Sequence, residues 1–393
     1  MKYFLIVLIA LTLTACTALE SFSGITDYFT GGEDNTDPPN ELQEYNAEIE
    51  IEVLWKESVG VGSEDYFLKL VPAFKDGRIF AGDKEGEVEA FELLSGDSVW
   101  DADFEMPFSS GPGVSTGTLV FGTSDARVLA LNAGNGEELW NFPVSSEVAA
   151  VPVIAQGVVI IRTTDGKVTA LDESTGRILW DYELIMPALS IRGTGNPVVV
   201  NNNVICGFAN GKLVSLRLND GKHVWDASIA IPGGRSEIER LVDLSADPLV
   251  ADGIIYVSSY KGGTSAVIEQ QGEVIWRNPD ISSYRGMGSD WRYLYVTDVN
   301  GDIWQIDQRN GASLWKQSDL HQRKLTAPAV LENYVVVGDF EGYVHWLSKT
   351  DGRQLARIRI TDEPIDAQPI VVDDVIYVYA KDGTLAALKA KTL

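Results

Sequence analysis

From about residue 48 onwards, short apolar runs of three to six residues recur, separated by polar turn residues, and none of them is long enough for a substantial helix. The clearest copy reads Val151-Pro152-Val153, then Gly157-Val158-Val159-Ile160-Ile161, then Asp165-Gly166-Lys167-Val168-Thr169-Ala170-Leu171-Asp172, then Thr175-Gly176-Arg177-Ile178-Leu179-Trp180. This pattern predicts a unit of four short strands. Asp-Gly between two β-branched runs makes a tight hairpin turn, because both residues tolerate positive φ, and Thr-Gly makes the next one.

The unit repeats. An aliphatic residue followed by tryptophan occurs at Trp55, Trp100, Trp140, Trp180, Trp225, Trp276 and Trp315, at spacings of 45, 40, 40, 45, 51 and 39 residues. A period near forty marks a repeat architecture. An eighth slot, Gly352-Arg353-Gln354-Leu355-Ala356, keeps the glycine but puts alanine in the tryptophan place. The middle turns at Gly86, Ala126, Gly166, Gly211, Gly263, Gly301, Gly342 and Gly383 also number eight. The last unit stops near Leu388 without a fourth strand, whereas Ile49 to Trp55 has the character of a fourth strand with no preceding three. The expected fold is therefore all-β, an eight-bladed propeller of four-stranded blades, closed by the N-terminal strand completing the last blade.

Ahead of the repeats, Met1-Lys2 and an apolar run from Tyr3 to Leu13 form a signal segment, too short to span a bilayer as a helix. Its end, Leu13-Thr14-Ala15-Cys16, resembles the lipobox of bacterial lipoproteins, which implies cleavage before Cys16 and acylation of its thiol. Thr17, where such proteins carry Asp for inner-membrane retention, implies outer-membrane sorting. Residues 17–47 are polar, with Gly31-Gly32-Glu33-Asp34 and Pro38-Pro39 among them, and read as a tether. The expected organisation is a signal peptide at 1–15, a lipidated tether at 16–47 and the propeller at 48–393.

Charge narrows the partners. Lys and Arg number 31 against 57 Asp and Glu, a net charge of −26, which argues against nucleic acid and against an electrostatic grip on anionic lipid. Cys16 and Cys206 do not form a disulfide framework, and Cys206, in the apolar run Val204-Ile205-Cys206, reads as a buried inert thiol. His223, His321 and His345 lack metal-ligand spacing. Gly113-Val114-Ser115-Thr116-Gly117 matches a nucleophile elbow in letters only, since it aligns with an inner strand rather than a strand-to-helix turn. Asp298-Val299-Asn300-Gly301-Asp302 begins like a calcium loop but coincides with the repeating hairpin turn. Trp291 and Tyr293 are candidates for a carbohydrate-binding face, although their place beside an inner strand favours packing.

Ala170 to Trp180 matches all fixed positions of the Ala-x-Asp-x-x-Thr-Gly-x-x-x-Trp docking motif, and the chain resembles the PQQ-type propellers through it. That resemblance implies that the seven tryptophans are blade-docking residues. Within these propellers, Glu237 to Asp243, Leu314 to Leu320 and Val337 to Trp346, together with the lipobox and eight bare blades, resemble the BamB family of the outer-membrane β-barrel assembly machinery (the BAM complex). Quinoprotein dehydrogenases differ by longer chains, a vicinal Cys pair and a calcium-binding Glu/Asn set, none recognisable here. The resemblance implies a non-catalytic lipoprotein scaffold without a cofactor. An exported propeller holding PQQ or another small ligand in its axial channel is the alternative.

Loop lengths point to a binding face. From each tryptophan to the next middle turn the chain takes 31, 26, 26, 31, 38, 25 and 27 residues, so the excess follows Trp55, Trp180 and above all Trp225. The last two connections are consecutive and are expected side by side. Length alone does not distinguish an ordinary insertion from a binding loop, but Leu184 to Gly193 is more apolar than a solvated loop requires and carries one arginine, which resembles an interface anchor. In the BamB family a Leu-x-Leu-Arg segment and an Asp-x-Asp segment contact a POTRA domain of BamA. Position by position, that resemblance implies Leu189, Ile191, Arg192 and Asp243 as partner-binding residues, with Ser245 replacing the second Asp. Arg192 and Asp243 either contact the partner or pair with each other. BamA, the rest of its complex through it, and unfolded outer-membrane proteins are the partners so implied.

Overall fold

The computed structural model describes residues 37–64, 67–191 and 194–392. Cys16 and Arg192 lie outside the described residues. The chain divides into residues 1–39 and 40–393, and the architecture is that of the second part.

Eight sheets form a propeller ring, and in blades 1 to 7 four antiparallel strands follow one another in chain order from the axis outwards. Blades 1 to 7 span residues 73–103, 108–143, 153–183, 198–228, 249–278, 287–317 and 329–359. Blade 8 is composite. Its three inner strands lie within 370–392, and its outer strand is β1 (Ile49–Ser58), paired antiparallel from Ile49↔Thr392 to Ser58↔Thr384. The ring thus closes by the N-terminal strand, as the truncated last repeat requires. Blade 2 gains a fifth strand, β2 (Lys69–Leu70), which pairs in parallel with its innermost strand, Lys69 opposite Ser110.

The aliphatic-Trp pair has a geometric meaning. In each outer strand the register skips one residue immediately before the tryptophan, so that Ala170 faces Trp180 and Leu171 faces Ile178, leaving Leu179 as a bulge. A bulge re-aims the next side chain. Here it turns the indole toward the following blade. Trp180 Nε1 donates to Leu218 O at 2.7 Å, and Trp55, Trp100, Trp140, Trp225, Trp276 and Trp315 make the same bond to the next blade at 2.8 to 3.2 Å. Each ring lies on the glycine of the next blade's last turn, where an added Cβ would come within 2.5 to 2.7 Å of it. Apolar clusters fill the spaces between blades, for example Ile160, Trp180, Val204, Cys206 and Phe208 between blades 3 and 4.

The alanine of blade 7 has a reason. Blade 8 lacks a chain turn between its third and fourth strands, because the fourth comes from the other end of the sequence, so no glycine turn exists for an indole to cover. The bulge persists there at Leu355. Leu355 is buried, unlike the exposed Leu54, Leu139, Leu179, Val224, Ile275 and Leu314 at the same place in other blades.

What covers it shortens the expected tether. Residues 40–48 run along blade 7 as a strap: Asn40 is bonded to Ser318 O, His321 O and Arg323, Arg357 donates to Gln43 O at 2.8 Å, and the Glu48 amide donates to Leu355 O at 2.8 Å. Leu42 packs beside the apolar cluster that holds Leu320 and Leu325, and the Arg357 guanidinium lies over the Tyr45 ring. The segment 40–47, read from its polarity as a tether, is therefore docked through backbone groups, the Asn40 side chain and two interspersed large side chains, Leu42 and Tyr45.

Candidate functional site

The connections from one blade's outer strand to the next blade's inner strand share a face, and three of them are long. The two consecutive ones meet. The Ile191 amide donates to Asp243 Oδ1 at 3.0 Å, and the Asn196 amide and side chain donate to the two carboxylate oxygens of Asp247 at 2.7 and 2.9 Å. Leu244 packs against Gly207, and Gly195 lies so close to Ala246 O that a Cβ would come to 2.7 Å. The side-by-side arrangement expected from loop order is present.

Each loop has a fixed base and an exposed crest. In the first, Leu184 and Met186 lie on the Gly166 turn, while Ile185 is 89% and Leu189 41% exposed and Ile191 is half-buried. In the second, one helical turn at 237–240 is held by a reciprocal cap, with Ser236 Oγ accepting from the Glu239 amide and Glu239 Oε2 accepting from the Arg235 and Ser236 amides. Lys261 pins it through Ile238 O at 2.9 Å. On this loop Ile231 is 81% and Ile238 64% exposed. The sequence alone did not single out either isoleucine: Ile231 ends the apolar stretch Ile229-Ala230-Ile231 that continues the outer strand, and Ile238 stands between Glu237 and Glu239; an aliphatic residue bordering or inside the Gly/Pro/charged insertion was the available signal.

Asp243 is placed differently from the expectation of a surface contact. It is 3% exposed, and its second oxygen, Oδ2, has no hydrogen-bond partner. Burial pushes its carboxyl up to about 6, an effect only partly offset by the Ile191 amide. Folding thus takes up a proton between the free-acid value and 6, so the stability Asp243 contributes is greatest below about pH 4 and falls as pH rises through 6. Asp243→Asn is expected to match the parent near pH 4 and to exceed it by about 1–3 kcal/mol at pH 7.5. Thermal unfolding of the pair across pH checks this, and a constant difference at all pH would contradict it. Ser245, at the expected second aspartate, is half-buried with Oγ unpartnered, and the neighbouring carboxylate is supplied two residues on by Asp247.

The other sequence candidates are elsewhere. Cys206 is fully buried and its thiol is pushed up to about 11 by desolvation, so it stays protonated. Ser115 follows an inner strand in a hairpin turn and donates to Glu173 Oε1 at 2.7 Å. Asp298 Oδ1 accepts the Asn300 and Asp302 amides, which makes the calcium-like segment an Asx turn. His345 is buried against Asp339 Oδ2 at 2.9 Å. Trp291, expected to pack, is instead 82% exposed at a hairpin tip on the opposite face, where a turn residue points away from both strands.

The axis holds a channel of about 430 Å³, lined by Asp247, Met287, Ser289, Pro328 and Gln368 among others. A calcium-bound quinone needs several converging oxygen ligands. Asp247, the carboxylate among the lining residues, is bonded to Asn196 and Lys69, and the Gln368 amide donates to Pro328 O. These residues do not fit that group.

A ring of eight four-stranded blades jointed by indole on glycine defines a propeller of the PQQ-like repeat class. Solved structures agree in fold: BamB from Moraxella catarrhalis superposes with a TM-score of 0.78 at 24% identity, over 86% of this chain and 99% of that one. A europium-containing methanol dehydrogenase superposes at 0.70 with 12% identity, over 86% and 93%. The family described as "Outer membrane protein assembly factor BamB" matches residues 84–317 and 301–393. A protein of that name from Pseudomonas aeruginosa is 45% identical over 350 residues, 89% of this chain and 92% of its own, and one from Escherichia coli K12 is 32% identical over 344 residues, 85% and 88%. The chain belongs to the BamB family of outer membrane protein assembly factors.

Proposed function

We propose that this protein is a non-catalytic scaffold of the β-barrel assembly machinery, anchored through acylated Cys16 to the periplasmic side of the outer membrane, and that its two joined loops dock a POTRA domain of BamA. Leu189, Ile191 and Arg192 meet the partner, joined by Ile185, Ile231 and Ile238, while Asp243 holds the loops from beneath. Unfolded barrel proteins are brought to the complex through that contact. The observation that supports the reading is the set of exposed aliphatic side chains on two loops whose bases are tied to a rigid ring. Apolar anchors on a preorganised support bind without a large ordering cost.

The test is affinity purification of the tagged lipoprotein from detergent extracts, beside Arg192→Glu and Ile231→Asp. BamA is expected with the parent and depleted about tenfold or more with each variant, as for central interface residues. Recovery from both variants alike would move the interface elsewhere, and absence of BamA from the parent preparation would overturn the role.

A further inference from the structure

The third long connection, after Trp55, reaches the same place from across the ring. Its strand β2 lies along the innermost strand of blade 2, with the Val71 amide donating to Gly111 O at 3.0 Å, so blade 2 alone has five strands. From there the Lys69 side chain crosses toward blades 4 and 5. Its ammonium donates to Thr194 O at 3.0 Å and pairs with Asp247 Oδ1 at 2.5 Å, a half-buried contact.

The segment 194–196, at the end of the first docking loop, is thereby gripped from several blades. Thr194 is held by Lys69, the Gly195 carbonyl by Arg162 at 2.7 Å, and Asn196 by both oxygens of Asp247, while Asn196 Oδ1 accepts the Val151 amide at 2.9 Å. Arg162 is itself buried and stacked over Phe208. The exposed Ile185 and Leu189 lie on the same loop, ahead of this clasp. A loop whose return end is held by five hydrogen bonds to four residues has few conformations left to lose on binding.

We propose that Lys69, with Asn196 and Asp247, is a positioning residue of the partner-docking site, setting the loop crest from the far side of the axis without touching the partner. The proposal rests on the docking role given above. It explains why the connection after Trp55 is long although it belongs to a distant blade, and why a carboxylate stands at Asp247 when Ser245 carries none.

The experiment uses the purified full-length lipoprotein in detergent, with the BamA periplasmic region as the probe. Lys69→Met is expected to weaken binding about tenfold and to speed amide exchange across residues 186–191 by a similar factor, as the loss of one charge-assisted anchor implies. The melting temperature of the ring should be unchanged, and Lys69→Arg should restore both properties. Asn196→Ser, which cuts the other side of the clasp, should behave like Lys69→Met. Parent binding that survives Lys69→Met with unchanged exchange overturns the positioning role and leaves the docking role intact. A parent protein that does not bind the probe overturns the docking role and the proposal with it. Loss of affinity in step with melting temperature in both variants assigns these residues to general stability and also overturns it.

Discussion

Deleting residues 49–58 is expected to abolish the cooperative unfolding transition. β1 supplies the whole outer strand of blade 8, buries Ile49 and Trp55, and places the Trp55 indole over Gly96 with its Nε1 on Leu93 O. Without it the third strand of blade 8 becomes a free edge and the joint to blade 1 opens, so two of the ring's interfaces fail together. Loss of one such indole alone costs about 3–5 kcal/mol, comparable to a large part of a domain's total stability. The control moves the strand rather than removing it. A chain in which residues 49–58 are appended after residue 392 through a short glycine turn should regain a single transition by tryptophan fluorescence. A deleted chain that melts like the parent would show that closure is dispensable.

The second large effect concerns one methyl group. Gly176→Ala is expected to lower stability by about 3 kcal/mol or more, whereas Gly157→Ala should lower it by about 1 kcal/mol. Both glycines have positive φ, +69° and +80°, and so carry a similar backbone penalty on substitution. They differ in surroundings. A Cβ on Gly176 comes to 2.5 Å from Trp140 Cε3, in a ring that is 9% exposed and fixed through its Nε1 on Glu173 O at 2.8 Å, while nothing lies within 4 Å of a Cβ on Gly157. The indole must leave its seat or the turn must deform. Guanidinium unfolding of the two variants gives the difference directly. Equal midpoints would mean that the Trp-on-glycine joint is soft.

Most of the ring was legible because its determinants are local and repeated. The Asp-Gly turns, the aliphatic-Trp pairs and the truncated last unit lie within forty residues of one another in each copy, and each reports strand, turn and joint without reference to distant chain. The worn slot at Ala356 was legible as a gap but not as a consequence, because its cause is the chain break in blade 8. The adjacency of the two docking loops followed from their order. What ties them did not: Lys69 and Asp247 are 178 residues apart, and no periodicity relates a strand on blade 2 to a loop before blade 5. Asp243 and Ser245 were identifiable by position in a motif, but burial depends on the whole loop, and it places Asp243 inside. The strap at 40–48 escaped because most of its hydrogen bonds run through backbone carbonyls and amides, which composition does not encode.

The seam between β1 and the strand Thr384–Thr392 also imposes a timetable. The strand that leaves the ribosome among the first must wait for the strand that leaves last, and every blade between them can form while the circle stays open. An unfinished chain therefore has no locked state that would resist unfolding. This keeps the polypeptide extensible until its final residues arrive and only then lets the ring become rigid. A chain cut short anywhere before residue 384 would present its first strand without a mate, a defect that a protease of the destination compartment can read.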